Sequence, residues 1–144
     1  MLEPRLLESI QVAARTGNLD RLVRAGGRHA ASLGFPRERI SEIELAVEEI
    51  LANICLYAYP EGEGKLSVKY LAENHPVKLV VEIVDSGIPF NILNAPPPDL
   101  TSELEQRSVG GLGVYLVREL ADAAEYERSE SMNVVRLVFN AVTE

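Results

Sequence analysis

Apolar residues recur along this chain at two periods, and the switches between them outline its elements. From Asn18 to Leu33 the apolar positions Leu19, Leu22, Val23, Ala30 and Leu33 fall at helical spacing. Asn18 is placed to cap this helix and Gly34 to stop it, while the Gly26-Gly27 pair weakens its middle. Pro36 suits the first turn of a second helix running to Tyr57, closed by the turn residues Pro60 to Gly64. At about 100 degrees per residue, Ile43, Val47, Ile50 and Ile54 of this helix share one face, which must look into a core.

The other period is two. KLSVKYLAE from Lys65 alternates apolar and polar residues, and VKLVVEIVD from Val77 to Asp85 is dense in β-branched residues, so both are expected to be strands joined by a turn at Asn74-His75-Pro76. Two further β-rich stretches, Ala124 to Arg128 and Val134 to Phe139, end the chain. RLLESIQVAA, residues 5 to 14, fits a first strand, although its pattern is too short to exclude a helix. Between Asn94 and Ser108 the proline-rich NAPPPDLTSELEQRS reads as a long loop with at most one short helix, and loops of that length are often lids or binding segments. After it, SVGGLGVYLVRELAD places glycines ahead of a helix whose residues Val114, Leu116, Val117 and Leu120 make a buried stripe.

Composition narrows the class. The chain has 144 residues, 47% hydrophobic and 25% charged, the balance of one globular domain spanning residues 1–144. No repeat or linker divides it. It has no stretch of the roughly eighteen apolar residues that a membrane span needs and no basic-then-apolar leader, so a cytoplasmic location away from membranes is expected. Fourteen basic against 22 acidic residues give a net charge of −8, which disfavours direct binding to nucleic acid. The one cysteine, Cys55, lies inside the apolar helix pattern and is read as a small buried hydrophobe.

Three segments carry candidate chemistry. Glu49 and Asn53, four residues apart, lie together roughly 80 to 120 degrees from the apolar stripe, so their side chains can converge on one small object. A carboxylate and an amide oxygen suit magnesium, or the orientation of a hydroxyl; such a pair is equally the solvated side of an amphipathic helix. In VEIVDSGIPF, Asp85 ends a strand and Gly87 follows two residues later. The carboxylate can accept from the amino group of an adenine while the glycine lets a flat ring approach, or Asp-Ser-Gly is simply a turn. In GGLGVYLVREL, Gly110, Gly111 and Gly113 precede helix amides that attract phosphate, or form a flexible turn before a core helix. Neither a P-loop nor a protein-kinase HRD and DFG pair is present.

E-I-L-A-N followed by Y-A-Y-P, then D-S-G-I-P-F, then G-G-L-G-V-Y-L-V-R-E-L-A-D, and the tail Y-E-R…N-V-V-R-L-V resemble the anti-sigma-factor serine/threonine kinases of bacterial partner-switching systems. These belong to the GHKL superfamily of histidine-kinase-like ATPases. The similarity runs over nearly the whole chain. It implies an α+β fold, a two-layer α/β sandwich of the Bergerat type with a mostly antiparallel or mixed sheet and helices on one face.

The resemblance also implies roles. Glu49 matches the base that takes the proton from a substrate serine, Asn53 the magnesium ligand, and Asp85 the reader of the adenine amino group. Gly87, Gly110, Gly111 and Gly113 match glycines lining the ring and phosphates of ATP. Apart from the resemblance, Arg107, just before the glycines, is a candidate for neutralising phosphate charge during transfer, or equally a surface arginine in a loop. Relatives commonly carry a histidine where this chain has Tyr57, which removes one polar contact on the phosphate side. The expected partners are a STAS-type anti-sigma-factor antagonist as substrate and a sigma factor, with pairing as a homodimer seen in relatives. The competing reading is an ATP-responsive binding module that sequesters a partner without phosphorylating it. A histidine-kinase catalytic domain would require a phosphoacceptor histidine, and His29 and His75 are poorly placed for one.

Overall fold

A computed structural model describes residues 4–94 and 111–142, with side chains from residue 115 onward in the second stretch. The elements run β1 (Arg5–Ala13), α1 (Leu19–Ser32), α2 (Arg37–Tyr57), β2 (Lys65–Glu73), β3 (Lys78–Asp85), α3 (Gly111–Leu120), β4 (Ala123–Ser129) and β5 (Met132–Asn140). The five strands form one sheet in the order β1-β2-β3-β5-β4, and every pairing is antiparallel.

Alternation along the strands decides what faces the helices. Leu66, Val68, Tyr70 and Ala72 of β2, Leu79, Val81 and Ile83 of β3, and Val135, Leu137 and Phe139 of β5 are buried. Nearly all of them pack against Leu22, Ile43, Val47, Ile50 and Ile54 in a single core. Each such fully buried aliphatic contributes roughly 1.5–3 kcal/mol relative to exposure. Because side chains alternate, the inward row of β3 ends at Asp85 and that of β5 begins at Asn133, and the two are paired across the strands. Two polar residues therefore sit at one end of an otherwise apolar floor.

The first strand forms, which settles the ambiguity at residues 5 to 14. The sheet is wholly antiparallel rather than mixed. Asn18 does precede α1, but its side chain caps nothing; the helix is entered through a 3-10 turn over Thr16–Asn18, and Asn18 Nδ2 donates instead to the Ala13 carbonyl at 2.9 Å. Gly34 stops the helix as expected, at a φ of +90° that suits glycine. The Gly26-Gly27 pair leaves α1 unbroken, because both glycines are buried against neighbouring elements. Of the stripe expected on α3, Val117 is buried and Leu116 and Leu120 are half-buried, while Val114 lies outside the described side chains. The segment expected to be a loop falls almost wholly in residues 95–110, outside the described residues.

A buried arginine fixes the far end of the helical layer. Arg39 of α2 pairs with Asp122 and donates to the carbonyls of Leu120 at 2.6 Å and Asn140 at 3.1 Å. Its guanidinium also lies over the aromatic ring of Phe139, 5.5 Å from the centroid. The end of α3 is thereby held against the start of α2 and the end of β5.

Candidate nucleotide-binding site

Asn53 and Asp85 come together. They line one small cavity with Ile54 and Ala58 of α2, Phe90 and Ile92 of the segment after β3, and Asn133 and Val135 of β5. Asn53 is only 6% exposed, so it is not part of a solvated helix side. Its Nδ2 donates to the Glu49 carbonyl at 2.8 Å, which fixes the amide and leaves its oxygen accepting from no described residue. Glu49, one turn earlier, is half-buried on the same flank. Cys55 is half-buried too, and burial pushes its thiol pKa up, as expected of a hydrophobe rather than a nucleophile.

Asp85 is 4% exposed, and its two oxygens are in different situations. Oδ1 accepts from the Gly87 amide at 2.9 Å and from Asn133 Nδ2 at 2.9 Å. Oδ2 accepts from no described residue. Among the described residues, then, this buried carboxylate, which lines the cavity, has one oxygen engaged and the other free to accept.

Asn133 is a site residue that the sequence reading misses, although it lies in the quoted tail. It joins more of the site than any of the candidates. Nδ2 donates to Asp85 and to the Ile88 carbonyl at 2.8 Å, while Oδ1 accepts from the Phe90 amide at 3.3 Å, Tyr126 Oη at 2.5 Å and Arg128 Nη1 at 3.2 Å. Arg128 also donates to the Gly87 carbonyl at 2.9 Å. The tail residues Tyr126, Arg128 and Asn133 together hold the D-S-G-I-P-F segment in place.

Gly87 is required by close packing. A Cβ there would stand 2.7 Å from the Ala58 carbonyl carbon and closer still to its oxygen, and the Ile88 amide donates to that same oxygen at 2.9 Å. The close approach that this glycine permits is to the end of α2. Tyr59, the second tyrosine of Y-A-Y-P, adds a clamp: its hydroxyl donates to the Lys65 carbonyl at 2.6 Å and accepts from the Ser86 amide at 2.8 Å. Tyr57 is exposed at the helix end.

Gly111 and Gly113 fall in the first turn of α3, which packs against α2. Gly110 and Arg107 lie outside the described residues. Of the two histidines, His29 is partly buried and bonded to Glu8 at 2.7 Å, and His75 lies in the turn between β2 and β3.

The residues fit a nucleotide, but the cavity is narrow. It holds about 10 Å³, room for roughly one water, with Phe90 and Ile92 among its lining residues. Roomier hollows of about 490 and 470 Å³ lie elsewhere, at the ends of β1 and β2 and beside Pro60 to Glu63, and neither contains Asn53 or Asp85. Size is the weaker guide here, since those hollows lack converging buried polar groups. Among the described residues no cluster of three or more acidic, histidine or cysteine side chains could hold a metal alone. No described helix is long and apolar enough to cross a membrane.

The family profile of the histidine kinase-like ATPase domain matches residues 12–139. The serine-protein kinase RsbW of Bacillus thuringiensis (strain Al Hakam) is 31% identical over 111 residues, covering 74% of this chain and 68% of its own length. That of Listeria monocytogenes serovar 1/2a is also 31% identical, over 74% of this chain and 69% of its own. In fold, the chain is similar to a crystal structure of the RsbU and RsbW domains of a Mycobacterium tuberculosis protein. The TM-score is 0.55 at 16% identity, covering 92% of this chain and 32% of that longer one. With Asn53 and Asp85 brought together inside the matched region, this chain belongs to the histidine kinase-like ATPase family, among the RsbW-type serine-protein kinases.

Proposed function

We propose that this protein binds ATP with magnesium in the cavity between Asn53 and Asp85 and phosphorylates a serine or threonine of a STAS-type anti-sigma-factor antagonist, working in the cytoplasm as one half of a switch whose other client is a sigma factor. The observation that carries the reading is the buried Asp85, which lines the cavity and whose Oδ2 accepts from no described residue. An adenine presents an amino group to such an acceptor and a guanine a carbonyl oxygen, so the site selects ATP over GTP. Phe90, whose side chain is still half exposed, has room to swing outward and admit the ring.

ATP supplies the phosphoryl group, and magnesium offsets the charge of its phosphates. Transfer then needs mainly positioning and neutralisation. Asn53 offers its amide oxygen to the metal, held at the right rotation by its bond to the Glu49 carbonyl. The first turn of α3, with Gly111 and Gly113 free of bulky side chains, offers unpaired amides to the phosphates, and Gly110 and Arg107 keep the roles that the sequence reading gives them. Glu49 accepts the proton released by the acceptor hydroxyl.

The test incubates pure protein with magnesium, labelled ATP and a panel of STAS-type antagonists. A labelled serine or threonine on one of them is expected. Antagonists that bind in an ATP-dependent way but stay unlabelled would instead establish the sequestering module.

A further inference from the structure

The outer side of α2 breaks its own pattern. Around Glu49 that side carries Glu42, Glu48 and Ser41, as an exposed helix face should, yet it also carries Leu45 at 40% and Leu56 at 59% exposure, with half-buried Ala52 between them. Single exposed leucines are ordinary. These are not scattered: Leu45, Ala52 and Leu56 stand at i−4, i+3 and i+7 from Glu49, along one side of the helix surface. They make an apolar ridge about 16 Å long whose middle adjoins the proposed base.

Charge says what the ridge fits. From Ile40 to Tyr57 the helix has no lysine or arginine, while Glu48 and Glu49 lie beside the ridge; of the other two glutamates in that span, Glu42 is paired with Arg39 at 3.0 Å and Glu44 packs against Gly27 of α1. We propose that this ridge is where the substrate protein docks, and that the docking face of that substrate is an apolar patch rimmed by lysine or arginine with the acceptor hydroxyl at its border. The inference rests on the kinase reading, because a phosphoacceptor has to reach Glu49 and a protein that brings it there must cover the helix surface alongside. Two aliphatic anchors within an acidic rim give the usual anatomy of a transient interface: the apolar centre supplies affinity and the rim supplies rate and register.

The experiment measures the equilibrium affinity of the full chain for STAS-type antagonists by titration, and separately the KM and kcat of their phosphorylation. Leu45→Asp combined with Leu56→Asp is expected to raise both Kd and KM by about tenfold or more, with kcat and ATP affinity unchanged. Leu6→Asp, at an exposed leucine of β1, is expected to change neither. Glu48→Lys is expected to slow association and to weaken the dependence of the on-rate on salt. Wild-type Kd and KM in the double variant would overturn the ridge, as would a variant that keeps the antagonist and loses only a sigma factor. Antagonists that bind the wild type but are never phosphorylated would refute the kinase reading while the Kd comparison still decided the ridge. An absence of binding by every antagonist would overturn both.

Discussion

Asn133 Nδ2 donates to Asp85 Oδ1 at 2.9 Å across the paired strands β3 and β5, and both residues are 4% exposed. The bond does two things at once. It satisfies one buried carboxylate oxygen, and it holds the Asp85 side chain in one orientation with the other oxygen free of described donors. Asn133→Ala removes that donor and also leaves the Ile88 carbonyl and the Tyr126 hydroxyl without their partner. The expected cost is about 1–3 kcal/mol of stability, read by denaturant unfolding. A fall of roughly tenfold in ATP affinity is also expected, the worth of about one such bond. Loss of stability with unchanged ATP affinity would make Asn133 a purely structural residue.

Glu49 and Asp85 have separable roles. Glu49→Ala is expected to leave ATP affinity within about twofold while lowering kcat by roughly 10²–10⁴, the usual range for removing a proton acceptor. Asp85→Asn replaces an acceptor with a mixed donor and acceptor and is expected to weaken ATP binding itself. Calorimetry with ATP and a single-turnover transfer assay separate the two. Equal loss of binding in both variants would contradict the assignment.

Gly87→Ala tests the packing at the end of α2. The added Cβ would press on the backbone of Ala58, which cannot yield without shifting the helix end. A destabilisation of about 1–3 kcal/mol is expected, as for overpacking, together with weaker ATP binding, because Gly87 is bonded to Asp85. A thermal melt and the same ATP titration check it. A wild-type melting temperature would show that the turn can relax.

Stability should depend on pH through Glu8. Its bond to His29 Nε2, at 2.7 Å, is the main cause that holds its carboxyl below the ordinary glutamate value, with smaller help from Arg28. A carboxylate with a depressed folded pKa stabilises fully above its unfolded value of about 4.3 and loses that contribution as pH falls through the lower folded value. About a third of the Glu8 side chain is exposed, so solvent screening limits the effect to at most about 1 kcal/mol. Wild type is expected to melt above Glu8→Gln at pH 7, with the gap closing below about pH 4. A gap that persists in acid would show that the variant acts through packing.

The chain discloses its elements where periodicity is long and punctuation strong. β2 begins and ends where the alternation does, and α2 starts after Pro36 and stops at Tyr57, as its flanking turn residues predict. Asn18 shows the limit of local signals, since a good capping residue is drawn off to the end of β1 by a contact five residues back. Asp85 and Asn53 are legible because acidic and amide groups are conspicuous against an apolar strand and helix. Asn133 is not, because its importance depends on register. β3 pairs with β5 and leaves β4 at the sheet edge, so its partnership with Asp85 spans 48 residues and skips a strand. The narrowness of the cavity that Phe90 and Ile92 help to line is likewise a tertiary fact that no periodicity carries.

If Asp85 reads a purine, the narrow cavity that Phe90 and Ile92 help to line has to widen. The most direct test is a crystal structure with magnesium and a non-hydrolysable ATP analogue. The adenine amino nitrogen is predicted within about 3 Å of Asp85 Oδ2, with Asn133 still bonded to Oδ1 and the Phe90 ring displaced outward. A nucleotide bound in one of the outer hollows, with Phe90 and Ile92 unmoved, would contradict it.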